Sequence, residues 1–400
     1  MWVHFRCRGL AWFAAALVLA MGTVRGDWQS DLEAVRQVAA FGANHEMAAA
    51  AAERLQSAES DVPLVPVLLA LEGAGPVAQN WLRGIAGAVA ARGPLPEAEL
   101  RELFDDRARF ADARYEAFVL LTGAEPALRN ELLKGCLDDP SLRLRYFAVT
   151  RQIEEAKAAE EAGEKGRAIA AYQTALDASR NASQIDKIAQ ALQALGRPVD
   201  IARQGAFVRR WQVIAPFDNS DEKGFEPEFG PEADYQKNAA ATQPTQPSHE
   251  GKSGAVAWRD LLSDNPTGVV DLNPVFDRAK GAVAYAFTVF ESPIDQPAQV
   301  RIGTPNAHKV WVNGQLVMSN EVYHTGSMVD QYVANCQLLK GKNTLLVKLC
   351  QNEMTQPWAQ EWMMQFRLTD PTGKGLLDEH LLGPSKPQAD SAAKPNAEAQ

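Results

Sequence analysis

Apolar residues recur every three or four positions through the first half of the chain and every second position through much of the rest. Tyr146, Val149, Ile153 and Ala156 make one stripe at helical spacing, and Ile185, Ile188, Leu192 and Leu195 make another. Each stripe occupies one side of a helix and needs a neighbour to cover it. Punctuation agrees. Pro96, Pro126 and Pro140 stand ahead of periodic runs, where a first-turn proline loses no hydrogen bond. Ser183 followed by Asp186 predicts a capping box ahead of Ile185, and Gly123 and Gly196 predict left-handed helix stops. The spacing therefore predicts short, serially paired helices from Asp27 to about residue 206.

After Phe207 the period becomes two. VAYAFTVF, 283–290, sets Val283, Tyr285, Phe287 and Val289 on one face and mostly alanine on the other. WMMQFRL, 362–368, sets Trp362, Met364, Phe366 and Leu368 against Gln365 and Arg367, while NTLLVKL, 343–349, and WQVIA, 211–215, complete a set of half-buried antiparallel strands. In HKVWVNGQLVMSN, 308–320, the Asn313-Gly314 step suits a two-residue turn with positive φ at both positions. That turn predicts Trp311 opposite Leu316 and Val310 opposite Val317. Both faces of this hairpin are apolar, which suits two packed layers better than an open sheet.

Between the first strand and the others lies the tract 218–254, rich in Pro, Gly, Gln and charge. It reads as a long surface loop, disordered in part, because it is too polar to carry a core of its own. The stretch 378–400 reads as a disordered tail.

The chain opens with Arg6 and Arg8, an apolar run from Leu10 to Met21 and small residues at Gly22 and Gly26. This is the layout of an export signal over residues 1–26, with cleavage after Gly26 or Gly22. The run is shorter than the about 20 residues that cross a bilayer. The expected location is extracytoplasmic, either periplasmic or secreted, with no transmembrane segment after cleavage. Four hundred residues with 46% hydrophobic content allow two or more cores. A net charge of −10 argues against nucleic acid as a partner, since phosphate binding draws on Lys and Arg. Cys136, Cys336 and Cys350 remain beyond the signal. They lack metal-site spacing, and a Cys336–Cys350 bridge and three free thiols are both open at this point.

Several stretches resemble known families. LDDPSLRLRYFAVTRQIEEA, 137–156, resembles a HEAT-type repeat helix, and residues 159–196 resemble a tetratricopeptide-like hairpin with Ala168, Tyr172 and Ala175 at its small-aromatic-small positions. HKVWVNGQLV together with VDQYVANCQLLKGKNTLLVKL, 329–349, resembles the galactose-binding-domain-like jelly roll, over roughly residues 207–377. The expected fold class is therefore multidomain α plus β. An N-terminal α-helical repeat or solenoid-like domain, 27–206, precedes an antiparallel β-sandwich of jelly-roll type, 207–377. The resemblance implies that ligands, where such domains bind them, sit on end loops or on one sheet face.

Carbohydrate recognition needs an aromatic face for the C–H side of a sugar and planar polar groups for its hydroxyls. The stretch 351–362 supplies Gln351, Asn352, Glu353, Gln356, Trp358 and Gln360 around a proline, and is the candidate ligand site. His308, Tyr323 and His324 are expected nearby by topology. Asp218, Ser220 and Glu222, with Asn219 and Asp221 between them, are a candidate set for a structural calcium. No other cofactor is expected.

Enzymatic motifs are incomplete. His45-Glu46 has Ala49 where HExxH requires its second His, GKSG at 251–254 lacks the upstream glycine of a phosphate loop, and no catalytic residues are assigned. The expectation is a non-catalytic exported binding protein. Its sandwich would contact an extracellular or envelope glycan, a polysaccharide for example, and its helical repeats would serve as scaffold or protein-docking surface. The alternatives are a structural or protein-interaction module without sugar binding, or a hydrolase accessory protein.

Overall fold

The computed structural model describes residues 27–265 and 267–383. The export signal over residues 1–26 and the tail from 384 onward lie outside the described residues. The chain divides into two compact units, one ending at Ala124 and the other beginning at Glu125.

The described part of the first unit is helical: α1 (Trp28–Arg36), α2 (His45–Gln56), α3 (Leu64–Leu69), α4 (Pro76–Ala90), α5 (Glu97–Asp105) and α6 (Ala111–Ala124). Successive helices pack in pairs, α1 on α2, α3 on α4 and α5 on α6. Leu32, Val35, Ala51, Leu55, Leu82 and Ile85 are buried. The glycine expected as a stop, Gly123, lies inside α6 instead.

The second unit begins with α7 (Leu128–Leu133), α8 (Leu142–Glu161), α9 (Lys165–Ala178), α10 (Ala182–Ala194) and α11 (Ile201–Gly205). Val149, Ile153, Ala156, Ala168, Tyr172, Ala175, Ile185, Ile188 and Leu192 are buried where these helices meet, whereas Tyr146 is exposed. The caps differ in detail from expectation. Ser141, one residue after Pro140, caps α8 by accepting from the Leu144 N–H. Asn181 caps α10 by accepting from the Gln184 N–H at 3.1 Å, and the Ser183 hydroxyl donates to that same Asn181 oxygen. An Asx cap thus takes the place assigned to the Ser183–Asp186 box. Gly196 does adopt positive φ at the end of α10.

The rest of this unit is β1 (Arg210–Asp218), α12 (Gly230–Lys237), β2 (Ser248–Gly251), β3 (Gly254–Ala257), β4 (Arg259–Leu262), β5 (Val269–Asp271), β6 (Ala282–Ser292), β7 (Gln296–Gly303), β8 (Ala307–Val312), β9 (Gln315–Asn320), β10 (Tyr332–Leu338), β11 (Gly341–Gln351), β12 (Met363–Thr369) and α13 (Glu379–Leu382). One antiparallel sheet has six strands in the order β4-β1-β6-β11-β8-β9, and a second has four in the order β10-β7-β12-β5. The two share one apolar core. Val213, Ala284, Ala286, Val310, Val347 and Leu349 enter it from the first sheet and Val300, Ile302, Met364, Phe366 and Leu368 from the second.

The alternation along β6 is as expected, but its two faces have unexpected neighbours. The small face, Ala282, Ala284 and Ala286, meets the opposing sheet. The bulky face, Val283, Tyr285 and Phe287, points outward into a second core built with Phe225, Phe229, Tyr235 and Trp258. Phe225, Phe229 and Tyr235 belong to the tract after β1, and Trp258 follows it. Expected as a partly disordered loop over 218–254, that tract is an ordered cover carrying α12 and the β2–β3 hairpin. A few aromatic anchors suffice because the sheet supplies most of the apolar surface.

The β8–β9 hairpin turns at Asn313 and Gly314, with φ of 51° and 81°. Trp311 lies opposite Leu316 as expected, but a bulge places Met318 rather than Val317 opposite Val310. Among the described residues Cys136, Cys336 and Cys350 are not disulfide-bonded. Cys336 packs against the core between the sheets and Cys350 belongs to the outer one, so the two face different interiors. The first residues of the stretch expected as disordered tail, 378–383, carry α13, which inserts Leu381 into the inter-sheet core.

Candidate functional site

Three loops meet at one end of the two-sheet structure: the turn after β1, the segment after β9 and the connection from β11 to β12. Asn219 joins them. It is fully buried, its Nδ2 donates to the Gln351 carbonyl at 3.0 Å and to the Tyr323 hydroxyl at 3.3 Å, and its Oδ1 accepts from the Gly224 N–H at 2.9 Å. Asp221 and Glu222 both hold positive φ in the turn. They are steadied across the gap: the Asp221 N–H donates to Glu353 Oε1 at 2.7 Å, and Asn352 Nδ2 donates to Glu222 Oε1 at 2.9 Å.

The residues named from sequence separate into two groups. Gln351 and Asn352 are buried. The Gln351 amide packs against Lys280, Asn306 and the Glu361 carbonyl, and Asn352 Oδ1 lies 2.9 Å from His324 Nε2. Gln360 turns its amide inward onto the Thr355 and Gln356 carbonyls. Glu353, Gln356 and Trp358 are exposed, and Trp358 leaves 62% of its surface open to solvent. The Trp358 indole stands edge-on to His324, with ring centroids 5.2 Å apart and planes at 89°. His324 itself holds positive φ, and its N–H donates to the Pro305 carbonyl at 2.6 Å. Burial beside Asn219 pushes the Tyr323 phenol well above its ordinary pKa.

The arrangement offers one indole face, one carboxylate and one primary amide that are exposed, beside a half-buried imidazole engaged with Asn352. It can stack on a flat or C–H-rich ligand and exchange hydrogen bonds at its edge. Sequence reasoning did not foresee the roles of Asn219, Glu222 and Lys280, because each acts through partners more than sixty residues away in the chain.

His308 is not part of this rim. It is wholly buried in β8, with Nδ1 3.0 Å from the Asn306 carbonyl and Nε2 near Met318 Sδ and Asn320. Burial holds its imidazole below the ordinary pKa. The calcium candidates are also otherwise engaged. Lys252 Nζ lies 3.2 Å from Asp218 Oδ1, 3.3 Å from Ser220 Oγ and 2.6 Å from the Gly281 carbonyl. Glu222 faces Asn352. An ammonium thus sits among the oxygens proposed for the ion. Among the described residues no group of three or more His, Cys, Asp or Glu is arranged to hold a metal, and no helix is long and apolar enough to cross a membrane.

The chain matches no family profile and no curated protein. Its similarities to solved structures are distant. An anti-sigma factor domain-containing protein aligns over 43% of this chain and 49% of its own, at 9% identity and a TM-score of 0.24. The β-glucosidase of Kluyveromyces marxianus in complex with glucose aligns over 35% of this chain and 16% of its own, at 9% identity and a TM-score of 0.23. The GH31 α-xylosidase of Xanthomonas citri aligns over 29% of this chain and 15% of its own, at 12% identity and a TM-score of 0.18. The alignments span about half of the first of these proteins and under a fifth of the other two. What the chain has in common with them is too small a part to define a family.

Proposed function

We propose that the protein is a non-catalytic, exported binding protein whose two-sheet unit contacts an extracellular or envelope glycan through the rim around Trp358. Its helical repeats act as scaffold or protein-docking surface. In this reading the two-sheet unit is a galactose-binding-like jelly roll used as a binding module. The observation that carries the proposal is the exposure of the Trp358 indole beside His324, with Glu353 and Gln356 free to reach solvent. Bulky aromatics in end loops usually pack inward, and an exposed one among planar polar groups is the arrangement that sugar stacking uses.

A rival reading, a structural or protein-interaction module without sugar binding, draws support from the internal use of Gln351, Asn352 and Gln360. The test is a glycan array and polysaccharide pull-down with the whole mature chain and with Trp358→Ala. Retention on a polysaccharide that Trp358→Ala abolishes supports the proposal. Absence of retention on every polymer, or retention indifferent to Trp358, favours the rival.

A further inference from the structure

The second unit contains a two-chambered hollow whose lining includes no residue of the Trp358 loop. One chamber, about 290 Å³, lies between α10, α11 and β12 and is lined mainly by apolar groups, among them Ala182, Ile185, Ile201, Phe207 and Val329. The other, about 500 Å³, is of mixed polarity and is lined by Arg180, Arg203 and Lys374, by the carboxylates Asp177 and Asp200 and by Val199, among others. Ile185 and Arg367 line both chambers and so mark their junction. Each volume is in or near the range of small-molecule sites.

The cations around this hollow are not equally engaged. Arg367 is paired with Asp330, and Arg203 with Glu379. Arg180 has no carboxylate partner among the described residues. Its Nη1 donates to the Asp177 and Ser179 carbonyls at 2.7 and 2.8 Å, and its Nε is buried without any hydrogen bond. Burial and the like charges of Arg145 and Arg367 hold its guanidinium below the usual arginine pKa, and Asp370 and Asp177 oppose this only through space. A part-buried guanidinium that lines a chamber and has no carboxylate pair attracts an oxyanion, and the planar fork suits a carboxylate in particular.

We propose that this hollow binds a small amphipathic carboxylate, its anionic head on Arg180 and its apolar body in the chamber beside Ile185 and Phe207. The apolar chamber gives the ligand's tail a place to leave water, and the arginine chamber gives its head a charged hydrogen bond in a partly desolvated setting. Neither chamber alone would select such a ligand. A simple inorganic anion would leave the apolar chamber unfilled, and an uncharged amphiphile would leave Arg180 unpartnered. The site is separate from the Trp358 rim and does not depend on the glycan reading.

The test is calorimetric titration of the whole mature chain with octanoate, octan-1-ol, acetate and inorganic phosphate. Octanoate is expected to bind, with octan-1-ol, acetate and phosphate each weaker by roughly tenfold or more. Arg180→Met is expected to lower octanoate affinity by about the same factor, and Ala182→Phe, which fills the apolar chamber, to abolish it. Trp358→Ala should bind octanoate like the parent. Circular dichroism melts accompany each variant, and if Arg180→Met is unfolded, Ala182→Phe and the ligand series decide. Absence of octanoate binding at millimolar concentration overturns the proposal. So does equal affinity for octan-1-ol or phosphate, or octanoate binding unchanged in folded Arg180→Met or Ala182→Phe.

Discussion

The Lys348 ammonium lies 3.4 Å from the Glu232 carboxylate, with side-chain exposures of 0% and 6%. Lys348 projects from the outer face of β11, and Glu232 comes from α12 in the tract that covers that face. Lys348 also donates to the Phe225 and Pro227 carbonyls at 2.8 and 2.7 Å, and the Tyr285 hydroxyl donates to Glu232 at 2.7 Å. Burial pulls Lys348 below the ordinary lysine pKa and pushes Tyr285 well above that of a free phenol. The cover is thus tied to its sheet by a dry ionic group as well as by apolar anchors. Because each charge depends on the other, Lys348→Met or Glu232→Gln alone should cost about 3–5 kcal/mol, from leaving a buried charge without its counterpart. The double variant should cost less than the sum of the two, and urea unfolding of the four proteins measures the coupling.

Asp330 accepts from Arg367 Nε at 2.7 Å and from Arg301 Nη1 at 2.9 Å. Burial alone would raise its carboxyl pKa, but Arg367 first and Arg301 with it bring the group below the ordinary aspartate value. As pH falls, the unfolded carboxyl, near about 3.9, takes up its proton before the folded one. The stabilisation is therefore complete above that pH and disappears as pH drops through the folded pKa. Asp330→Asn should cost about 3–5 kcal/mol at neutral pH and flatten the acid limb of a stability–pH profile.

Gly314 holds φ of 81°, and a Cβ there would stand 2.7 Å from the Ala239 Cβ. Gly326 holds φ of 74° with nothing within 4 Å. Gly326→Ala should cost only the backbone term of about 1 kcal/mol, and Gly314→Ala should cost more because it also pushes the cover off the hairpin. Equal losses in thermal unfolding would count against the close approach of Ala239 to this turn.

Burial raises the Cys350 thiol to about 12 and the Cys336 thiol to about 11. Thiolate is the reactive form, so both should react with iodoacetamide at neutral pH far more slowly in the native protein than in urea. Peptide mapping of a labelling time course checks this.

Trp358→Ala should change stability by no more than about 0.5 kcal/mol, since most of the indole already faces water. Trp362, four residues on, is fully buried in the core between the sheets. Trp362→Ala should cost about 3–5 kcal/mol. The contrast separates a binding role for Trp358 from a packing one.

How much of this was legible beforehand varied with the range of the forces involved. The strands at 211–215, 283–290, 343–349 and 362–368 were readable because alternation is a property of the strand itself. Which face of β6 would meet which layer was not readable, because that depends on a tract joined far away. The polar composition of 218–254 hid Phe225, Phe229 and Tyr235, few in number but set against a sheet that supplies most of the contact. Trp311 was correctly paired across the turn and Val310 was not, since a bulge between them leaves no mark in the alternation. The candidate loop was proposed from Trp358, with His324 expected near it by topology, but its support from Asn219 and Glu222 is long-range, and local spacing carries no information about it.

Strands β1 and β4 are antiparallel neighbours, yet the whole covering tract is spliced between them rather than a tight turn. Arg259 lies opposite Val213, well short of the Asp218 end of β1, so a shortened chain from Asp218 to Arg259 would need a linker of several residues running back along β1, and it would probe whether the sheet tolerates being laid bare. It would strip the roof from Ile214, Phe217, Tyr285, Phe287 and Leu346 and leave Lys348 without its counter-ion. Such a trimmed protein should precipitate or pair with itself through that flank, so the splice works as built-in insurance against clumping.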